Sequence, residues 1–199
     1  MRIKSIKKII ALFSAIRLIP HIILFNIHHN KNIIKYDIDR WLKYLEIEGN
    51  PQYVFIHLMT FFPEYRNLFY KRIGIFSKII NWLCPKMSTL IISTNDIGPG
   101  LFLQHGFATI IAAKSIGKDC WINQQVTIGY SNDTDCPILG DNVVINAGAK
   151  IIGKVYMGNN SIAGANTVVV KNVPENCTVV GVPAYIIKRN GVKVKENLK

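Results

Sequence analysis

The spacing of hydrophobic residues changes near residue 97, from a helical pattern to a period of six residues. From there on, an aliphatic residue opens each unit, the second position is often Gly or Asn, and the fifth is small or β-branched. The opening residues are Ile97, Leu103, Ile110, Ile116, Ile122, Ile128, Leu139, Ile145, Ile151, Met157, Ala163 and Val169. Three positional rules obeyed over a dozen units predict a solenoid of short parallel strands joined by tight corners. Three sides of six residues give a coil of about 18 residues.

This pattern divides the chain into a helical N-terminal lobe over 1–88, a β-helix over 89–188 and a basic tail over 189–199. Within the lobe, residues 37–85 have helical spacing, and Asp37 stands where an N-cap is expected. The predicted fold class is mainly β, with a helical lobe preceding the solenoid.

The first 25 residues or so are basic and amphipathic. Arg17, Pro20 and His21 interrupt their apolar stretch, so no run reaches the roughly 20 residues that a spanning helix needs. Two interpretations stay open: a helix packed on this protein or on another subunit, and a peripheral membrane contact. The apolar and basic positions at helical spacing are Ile3, Ile6, Ile10 and Phe13, and Lys4, Lys7 and Lys8.

The chain has 24 Lys and Arg against 12 Asp and Glu, a net charge of +12. This excess favours an anionic partner: nucleic acid, an anionic membrane or a phosphate-bearing small molecule. Basic and aromatic residues alternate between residues 65 and 78 without a recognition motif, so we expect no nucleic-acid partner. The 4 cysteines show neither scaffold density nor a CxxC spacing, which predicts reduced thiols in a cytoplasmic protein and no metal site.

The repeat resembles that of the hexapeptide acyltransferases, and within them the serine acetyltransferase type. The resemblance is carried by residues 97–106, which include Leu103-Gln104-His105-Gly106, and by residues 124–129 and 181–184. It implies a left-handed parallel β-helix that uses acetyl-CoA as cosubstrate. It also implies a homotrimer with active sites between subunits.

Laid out by the repeat, His105 and Gln124 occupy equivalent positions on neighbouring coils, followed by Ala147 and Ala165. The small residues leave space alongside for an extended ligand. An imidazole with a pKa of about 6.5 accepts and returns a proton at neutral pH. In the resembled family, this His deprotonates an acceptor hydroxyl, which attacks the thioester of acetyl-CoA. Gln124 either positions a substrate oxygen or belongs to a stacked amide ladder that only stabilises the fold.

The chain departs from the resembled family at several charged positions. Leu90 aligns with the Asp that orients the catalytic His, and Asp96 is out of phase with the repeat. Gln104 precedes His105 where the serine-using enzymes have Asp, and Asp135-Cys136 stands where they have Arg-His. The two charged ends of serine would then lack partners, which is costly once water is removed.

These departures favour a neutral acceptor, a sugar hydroxyl of a surface polysaccharide or its precursor. The chain would then be an O-acetyltransferase of the polysaccharide type. Two alternatives stay open: a serine O-acetyltransferase and a non-catalytic hexapeptide scaffold. The predicted acceptor-binding residues are Gln104, Asn123, Gln124, Tyr130 and Asp135.

Two further segments are candidates for binding. Between Ile128 and Leu139 five extra residues form either a binding loop or a plain surface extension, and the family implies a loop that completes a neighbour's site. After the last coil, the resemblance places residues 181–184 beside CoA, and Arg suits its phosphates. The predicted CoA-binding residues are Ala147, Ala165, Gly181, Pro183, Ala184, Lys188 and Arg189.

Overall fold

The computed structural model describes residues 2–198, except for the side chains of residues 2–5, 7, 8 and 12. The chain forms two compact units, Met1–Met87 and Ser88–Lys199. The first is helical and the second consists of short strands. The predicted class, a mainly β solenoid with a helical N-terminal region, is confirmed.

Residues 2–87 contain six α-helices, the last of which follows a 3-10 turn over Gly74–Phe76. The helices are α1 (Arg2–Arg17), α2 (Ile19–Ile27), α3 (Lys31–Leu45), α4 (Pro51–Phe61), α5 (Pro63–Ile73) and α6 (Ser77–Ile80). In the part of the chain that the structure describes, none of them is by itself both long and apolar enough to cross a bilayer.

The sequence pattern suggested that Asp37 is a helix cap, and this prediction is wrong. Asp37 lies inside α3, which already begins at Lys31, and it is almost fully buried. Its Oδ2 accepts a hydrogen bond from Nε of buried Arg72, at 2.8 Å. A buried carboxylate needs such a cationic partner, because its charge is costly to remove from water.

The alternating basic and aromatic residues of α5 form part of the helical core and not an exposed surface. Tyr65, Phe69 and Tyr70 are buried, and Tyr65 packs edge-on against Trp41 with ring centroids 5.2 Å apart. The guanidinium of Arg66 donates to backbone carbonyls, including that of Met59 at 2.6 Å. These side chains hold the helices together.

The second unit contains sixteen strands over residues 88–198. They are β1 (Leu90–Ile92), β2 (Asp96–Ile97), β3 (Phe102–Leu103), β4 (Thr109–Ile111), β5 (Ser115–Ile116), β6 (Trp121–Ile122), β7 (Thr127–Gly129), β8 (Ile138–Leu139), β9 (Val144–Ile145), β10 (Lys150–Ile152), β11 (Tyr156–Met157), β12 (Ile162–Ala163), β13 (Val168–Val169), β14 (Cys177–Val180), β15 (Tyr185–Arg189) and β16 (Val192–Asn197).

Three parallel sheets form the faces of a β-helix of about five turns. Face A contains β1, β4, β7, β10 and β13; face B contains β2, β5, β8 and β11; face C contains β3, β6, β9, β12 and β14. The chain turns from C to A at the CA edge, from A to B at the AB edge and from B to C at the BC edge. The interior is filled by repeat-opening residues such as Ile116, Ile122 and Ile128, all buried.

The segment 189–199, which we expected to be a solvated basic tail, is largely a strand. β16 pairs antiparallel with β15, and β15 pairs antiparallel with β14, so the two extend face C. Leu198 is buried, and Lys171 Nζ donates to its carbonyl at 3.3 Å. Alternation of lysines with apolar residues from Val192 onward is the pattern of such an edge strand.

Candidate active site

The predicted column of stacked residues is present along the CA edge. Leu103 pairs with Ile122, which pairs with Ile145, and Ala163 pairs with both Ile145 and Val179. Two residues further along, the register of face C leads to His105, Gln124, Ala147, Ala165 and Gly181. On the side of face A, the Gln125 N–H donates to the Phe107 carbonyl as the Gly148 N–H donates to that of Gln124, so Phe107 lies opposite Gln124 there. The CA edge therefore has the amide and the small residues in the predicted order, with His105 in the turn at their head.

The turn that carries His105 is longer than the repeat suggested. On face A, Ile111 pairs with Ile128, and Ile111 is buried while Ile110 is exposed. The interior position is therefore Ile111. This coil has two extra residues at the CA edge, whereas the spacing from Leu103 to Ile110 in the repeat suggested one. Ile110 and Ile111 are both aliphatic, so the hydrophobic pattern could not tell which of them faces the interior.

The extra residues form a tight turn around Gly106. The Phe107 N–H donates to the His105 carbonyl at 2.7 Å, an i to i+2 bond. His105 has φ 65°, Gly106 φ 55° and Ala108 φ 51°, whereas the next coil has one positive φ at this edge, at Gln125. Single left-handed residues recur at the other corners of this β-helix, as at Asp119, Asn142 and Asn166, so the three in this turn set it apart. The turn leaves both the imidazole and the Phe107 ring exposed, and the sequence pattern had not singled out Phe107.

No side chain in the described part of the chain orients the His105 ring by a hydrogen bond. Leu90, at the position where the resembled family has Asp, is buried in β1 and pairs with Thr109. Asp96 belongs to β2 on face B, away from the CA edge. Any orienting group for His105 has to come from a ligand or from another chain.

A ladder of stacked amides is present at the CA edge, but it is formed by Asn123 and Asn146 and not by Gln124. Asn123 Nδ2 donates to Asn146 Oδ1 at 3.3 Å, and Asn146 Nδ2 donates to the Ala163 carbonyl at 3.0 Å. Gln104, in register with Asn123 one coil before it, is half-buried. The Gln124 side chain makes no hydrogen bond within residues 2–198, so its amide remains available to a ligand.

The residues 181–184 close the last coil at the same edge. The Gly181 carbonyl accepts from the Val168 N–H, and the Ala184 N–H donates to the Val168 carbonyl, both at 3.0 Å. Gly181 has φ 97°, and a Cβ there would lie 2.8 Å from the Tyr185 ring. Pro183 is exposed and follows a cis peptide bond, while Ala184 is buried. Close packing therefore requires glycine at position 181.

Tyr130 and Asp135 belong to the AB edge, so a single chain does not bring them to His105. Asp135 accepts hydrogen bonds from the Ser131 hydroxyl at 2.6 Å and from the Ser131 and Asn132 N–H groups. The bonds from Ser131 hold the pKa of Asp135 below its usual value. A contact with the Cys136 thiol raises the pKa of exposed Tyr130. Asp135 organises this loop from within.

Lys188 and Arg189 lie at the opposite end of β14 from Gly181. They pair with Thr178 and Cys177, and Lys188 lines an open cavity of about 600 Å³ at the BC edge. Arg189 donates from Nη2 to Glu196 Oε2 at 2.6 Å. Three residues of strand separate Thr178 from Gly181, about 10 Å, so these cations lie apart from the column.

A cation at the CA edge was missed by the sequence analysis. Lys150 is the first residue of β10, and its Nζ donates to the Gln125 carbonyl at 2.6 Å. The turns of this edge, residues 104–109, 123–127, 146–150 and 164–168, contain no Asp or Glu. The described part of the chain contains no cluster of three potential metal ligands.

Comparison with known proteins points to one group. The chain is 36% identical over 132 residues to a serine acetyltransferase of Synechococcus elongatus, covering 64% of this chain and 54% of that protein. A serine acetyltransferase of Staphylococcus aureus is 42% identical over 102 residues, 49% of this chain and 48% of that protein. The chain thus spans about half the length of these curated relatives. No family model matches it.

Solved structures that resemble this chain are also serine acetyltransferases. A Neisseria gonorrhoeae serine acetyltransferase in complex with serine superposes with a TM-score of 0.64 and 25% identity, covering 81% of this chain and 70% of that one. A serine acetyltransferase in complex with CoA gives a TM-score of 0.66 at 23% identity over 89% of this chain and 83% of that one, which establishes the fold alone. In sequence and in fold, this chain is therefore similar to the hexapeptide-repeat serine acetyltransferases.

Proposed function

We propose that the chain is an acetyl-CoA-dependent O-acetyltransferase in which His105 is the general base. The observation that carries this is the two-residue insertion at the CA edge, which exposes the imidazole at the head of a column of Gln124, Ala147, Ala165 and Gly181. A purely structural coil has no need for such a turn. The relatives named as serine acetyltransferases, and the one solved with CoA, support the assignment.

The chemistry needs one group that takes and returns a proton. His105 accepts the proton of the acceptor hydroxyl as its oxygen attacks the thioester carbonyl of acetyl-CoA. The tetrahedral intermediate then collapses, the carbon–sulfur bond breaks, and the imidazolium returns the proton to the CoA sulfur. General-base assistance of this kind is worth about 10²- to 10⁴-fold. The Gln124 amide is free to donate to a substrate oxygen.

The small residues of the column are the proposed CoA track. Ala147 and Ala165 leave room beside the edge, and Gly181, Pro183 and Ala184 form its end. Lys150 is the one Lys or Arg in the four turns of this edge. Lys188 and Arg189, in β15, lie beside the far end of β14 from Gly181 and too far from the column to act at the thioester. We therefore propose that they contact only the distal phosphates of CoA.

The acceptor that the comparisons favour is L-serine, because the relatives bear that name and one structure contains it. The site gives a specific reason to keep a sugar hydroxyl as the second candidate. Within a single chain, the four turns of the CA edge have no carboxylate for the ammonium of serine, and Gln104 is neutral. Asp133 and Asp135 would reach a neighbour's site only in the trimer proposed below. Desolvating an unpaired ammonium is costly, whereas a neutral polyol needs only amides and hydroxyls.

A homotrimer is part of the proposal, because the loop over residues 130–137 and His105 occupy different edges of one chain. Packing the AB edge of one copy against the CA edge of the next brings Tyr130 to the neighbour's imidazole. We expect a mass three times that of the chain in light scattering. Monomers with full activity would overturn this part. We place the enzyme in the cytoplasm, where acetyl-CoA is available.

The test is a transfer assay with acetyl-CoA and a panel of acceptors that includes L-serine, hexoses and sialic acid. We expect thiol release that depends on the acceptor, with an O-acetylated product seen by mass spectrometry. A kcat/KM for serine far above that of every sugar establishes serine as the acceptor, and the reverse establishes a sugar. CoA binding without transfer to any hydroxyl would favour the non-catalytic scaffold.

A further inference from the structure

The net charge is concentrated in the helical unit. Residues 1–87 contain 14 Lys and Arg against 5 Asp and Glu, a net +9, whereas residues 88–199 contain 10 against 7, a net +3. Within the helical unit, two long stretches, residues 1–36 and residues 65–87, contain no Asp or Glu at all. Such asymmetry indicates that this unit meets an anionic partner.

The same two stretches expose large apolar side chains at helical spacing. On α1 and α2 the exposed residues follow one another along the helix pair, with exposed fractions between 45 and 72%. They are Ile6, Ile9, Ile10, Phe13, Ile16, Ile19, Ile23 and Ile27. Ala11, Leu18 and Phe25 are buried instead. These helices therefore pack on the unit through one face and leave a second apolar face exposed to solvent.

A second apolar stripe follows α5. Ile75, Phe76, Ile79 and Trp82 are 70, 44, 68 and 72% exposed. The two stripes are neighbours, because the His28 ring at the end of α2 packs edge-on against Phe76, with centroids 5.7 Å apart. Asn30 Nδ2 also donates to the carbonyl of Arg72 at 2.8 Å. We call the exposed apolar residues of these two stripes, on α1, α2 and residues 75–82, the apolar surface.

We propose that this apolar surface docks peripherally onto a membrane rich in anionic lipids. A basic segment with exposed Ile, Phe and Trp is the composition of helices that lie in the lipid interface. Trp also favours the level of the headgroups. The bend of 77° between Ile9–Arg17 and Ile19–Ile27 suits helices lying along a surface.

Charge decides between a membrane and a second copy of the chain. Two copies meeting through this surface would bring together stretches that contain only basic charges, including exposed Arg17 and Lys78. Like charges at an interface oppose association, whereas each Lys or Arg is attracted to an anionic leaflet. This inference goes beyond the acetyltransferase proposal and does not depend on it.

The test is sedimentation of the full chain with phosphatidylcholine vesicles, with and without phosphatidylglycerol, at low and at high salt. We expect binding that requires the anionic lipid and weakens with salt. Trp82 gives a second readout. Of the other two tryptophans, Trp41 is fully buried and Trp121 is half-buried in β6, so a shift of the emission to shorter wavelength that disappears in Trp82→Phe reports insertion.

The variants Ile27→Ser and Trp82→Ser should each lower the partition coefficient at least about fivefold. Val192→Ser removes a similarly exposed residue from β16 and should leave it unchanged, with circular dichroism confirming that all three fold. No binding to anionic vesicles, or equal binding of all variants, overturns the proposal. So does self-association without vesicle binding that Ile27→Ser abolishes, which identifies a copy interface. Resistance to alkaline carbonate extraction would indicate spanning helices instead.

Discussion

The Asn123 side chain donates to Asn146 on the next coil, 3.3 Å from Nδ2 to Oδ1, whereas the adjacent Gln124 contacts no polar partner in the described structure. Neighbouring amides thus differ in role. We expect Asn123→Ala to lower the free energy of unfolding by about 1 kcal/mol, the usual worth of such a bond.

Gln124→Ala should leave stability within about 0.5 kcal/mol while lowering kcat/KM for acetyl transfer. Urea unfolding and steady-state kinetics on both variants separate the two effects. Loss of stability in Gln124→Ala with unchanged kinetics would assign this amide to the fold.

Asp135 should control the order of the loop over residues 130–137. Asp135→Ala removes the acceptor of hydrogen bonds from Ser131 and Asn132, so limited proteolysis should cut the loop faster. Asp133→Ala, in the same loop and exposed, is the matched control. Equal cleavage of the two variants would show that these bonds do not order the loop.

The loop should also respond to acid. The pKa of Asp135 is held below its usual value by the Ser131 bonds. The contribution of the carboxylate is therefore present above the ordinary carboxyl pKa and lost as the pH falls through the lowered one. Cleavage by an acid-active protease should rise in that range for the wild type relative to Asp135→Ala at the same pH, because that variant lacks the carboxylate that accepts the bonds of the loop.

The buried pair of Asp37 and Arg72 should dominate the stability of the helical unit. Arg72→Met leaves the carboxylate buried without its cation, a loss of about 3 to 5 kcal/mol. Removing both charges in Asp37→Leu/Arg72→Met should recover much of that loss. Arg189→Met breaks the half-exposed pair with Glu196 and should cost about 0 to 1 kcal/mol. A double variant no more stable than Arg72→Met would contradict this account.

His21 should make the helical unit sensitive to mild acid. Burial, with Arg17 and Arg66 nearby, lowers the pKa of His21 to about 4. In the unfolded chain it is about 6.5, so acidification protonates the unfolded state first. Stability present above pH 6.5 is therefore lost as the pH falls toward 4, by up to the order of 3 kcal/mol.

His21→Gln retains a donor for the Tyr70 hydroxyl, which lies 2.9 Å from His21 Nε2, and cannot titrate. Chemical unfolding at about pH 7 and about pH 5 should show a smaller difference in this variant than in the wild type. An equal difference would exclude His21 as the source.

The solenoid could be predicted because the residue type at each position of the six-residue repeat is visible in the sequence. The column from His105 to Ala165 follows from that repeat. The two-residue insertion could not be predicted, since Ile110 and Ile111 satisfy the same hydrophobic rule. Asp37 resembled a cap because a buried ion pair with Arg72 depends on a contact distant in sequence. Arg189 resembled a free cation because its bond to Glu196 depends on the pairing of β15 with β16, in a segment that we expected to be a solvated tail. Lys150 was overlooked because its relation to the CA edge requires the folded coil.

The placement of His105 at the head of the column is the central claim, and acetyl transfer by His105→Asn tests it most directly. Asn tolerates the left-handed backbone that this position adopts, so the turn should persist while the base is lost. We predict turnover at least about 100-fold below the wild type, with unchanged unfolding and near-normal turnover in the control Gln125→Asn. Turnover of folded His105→Asn close to that of the wild type would contradict the assignment.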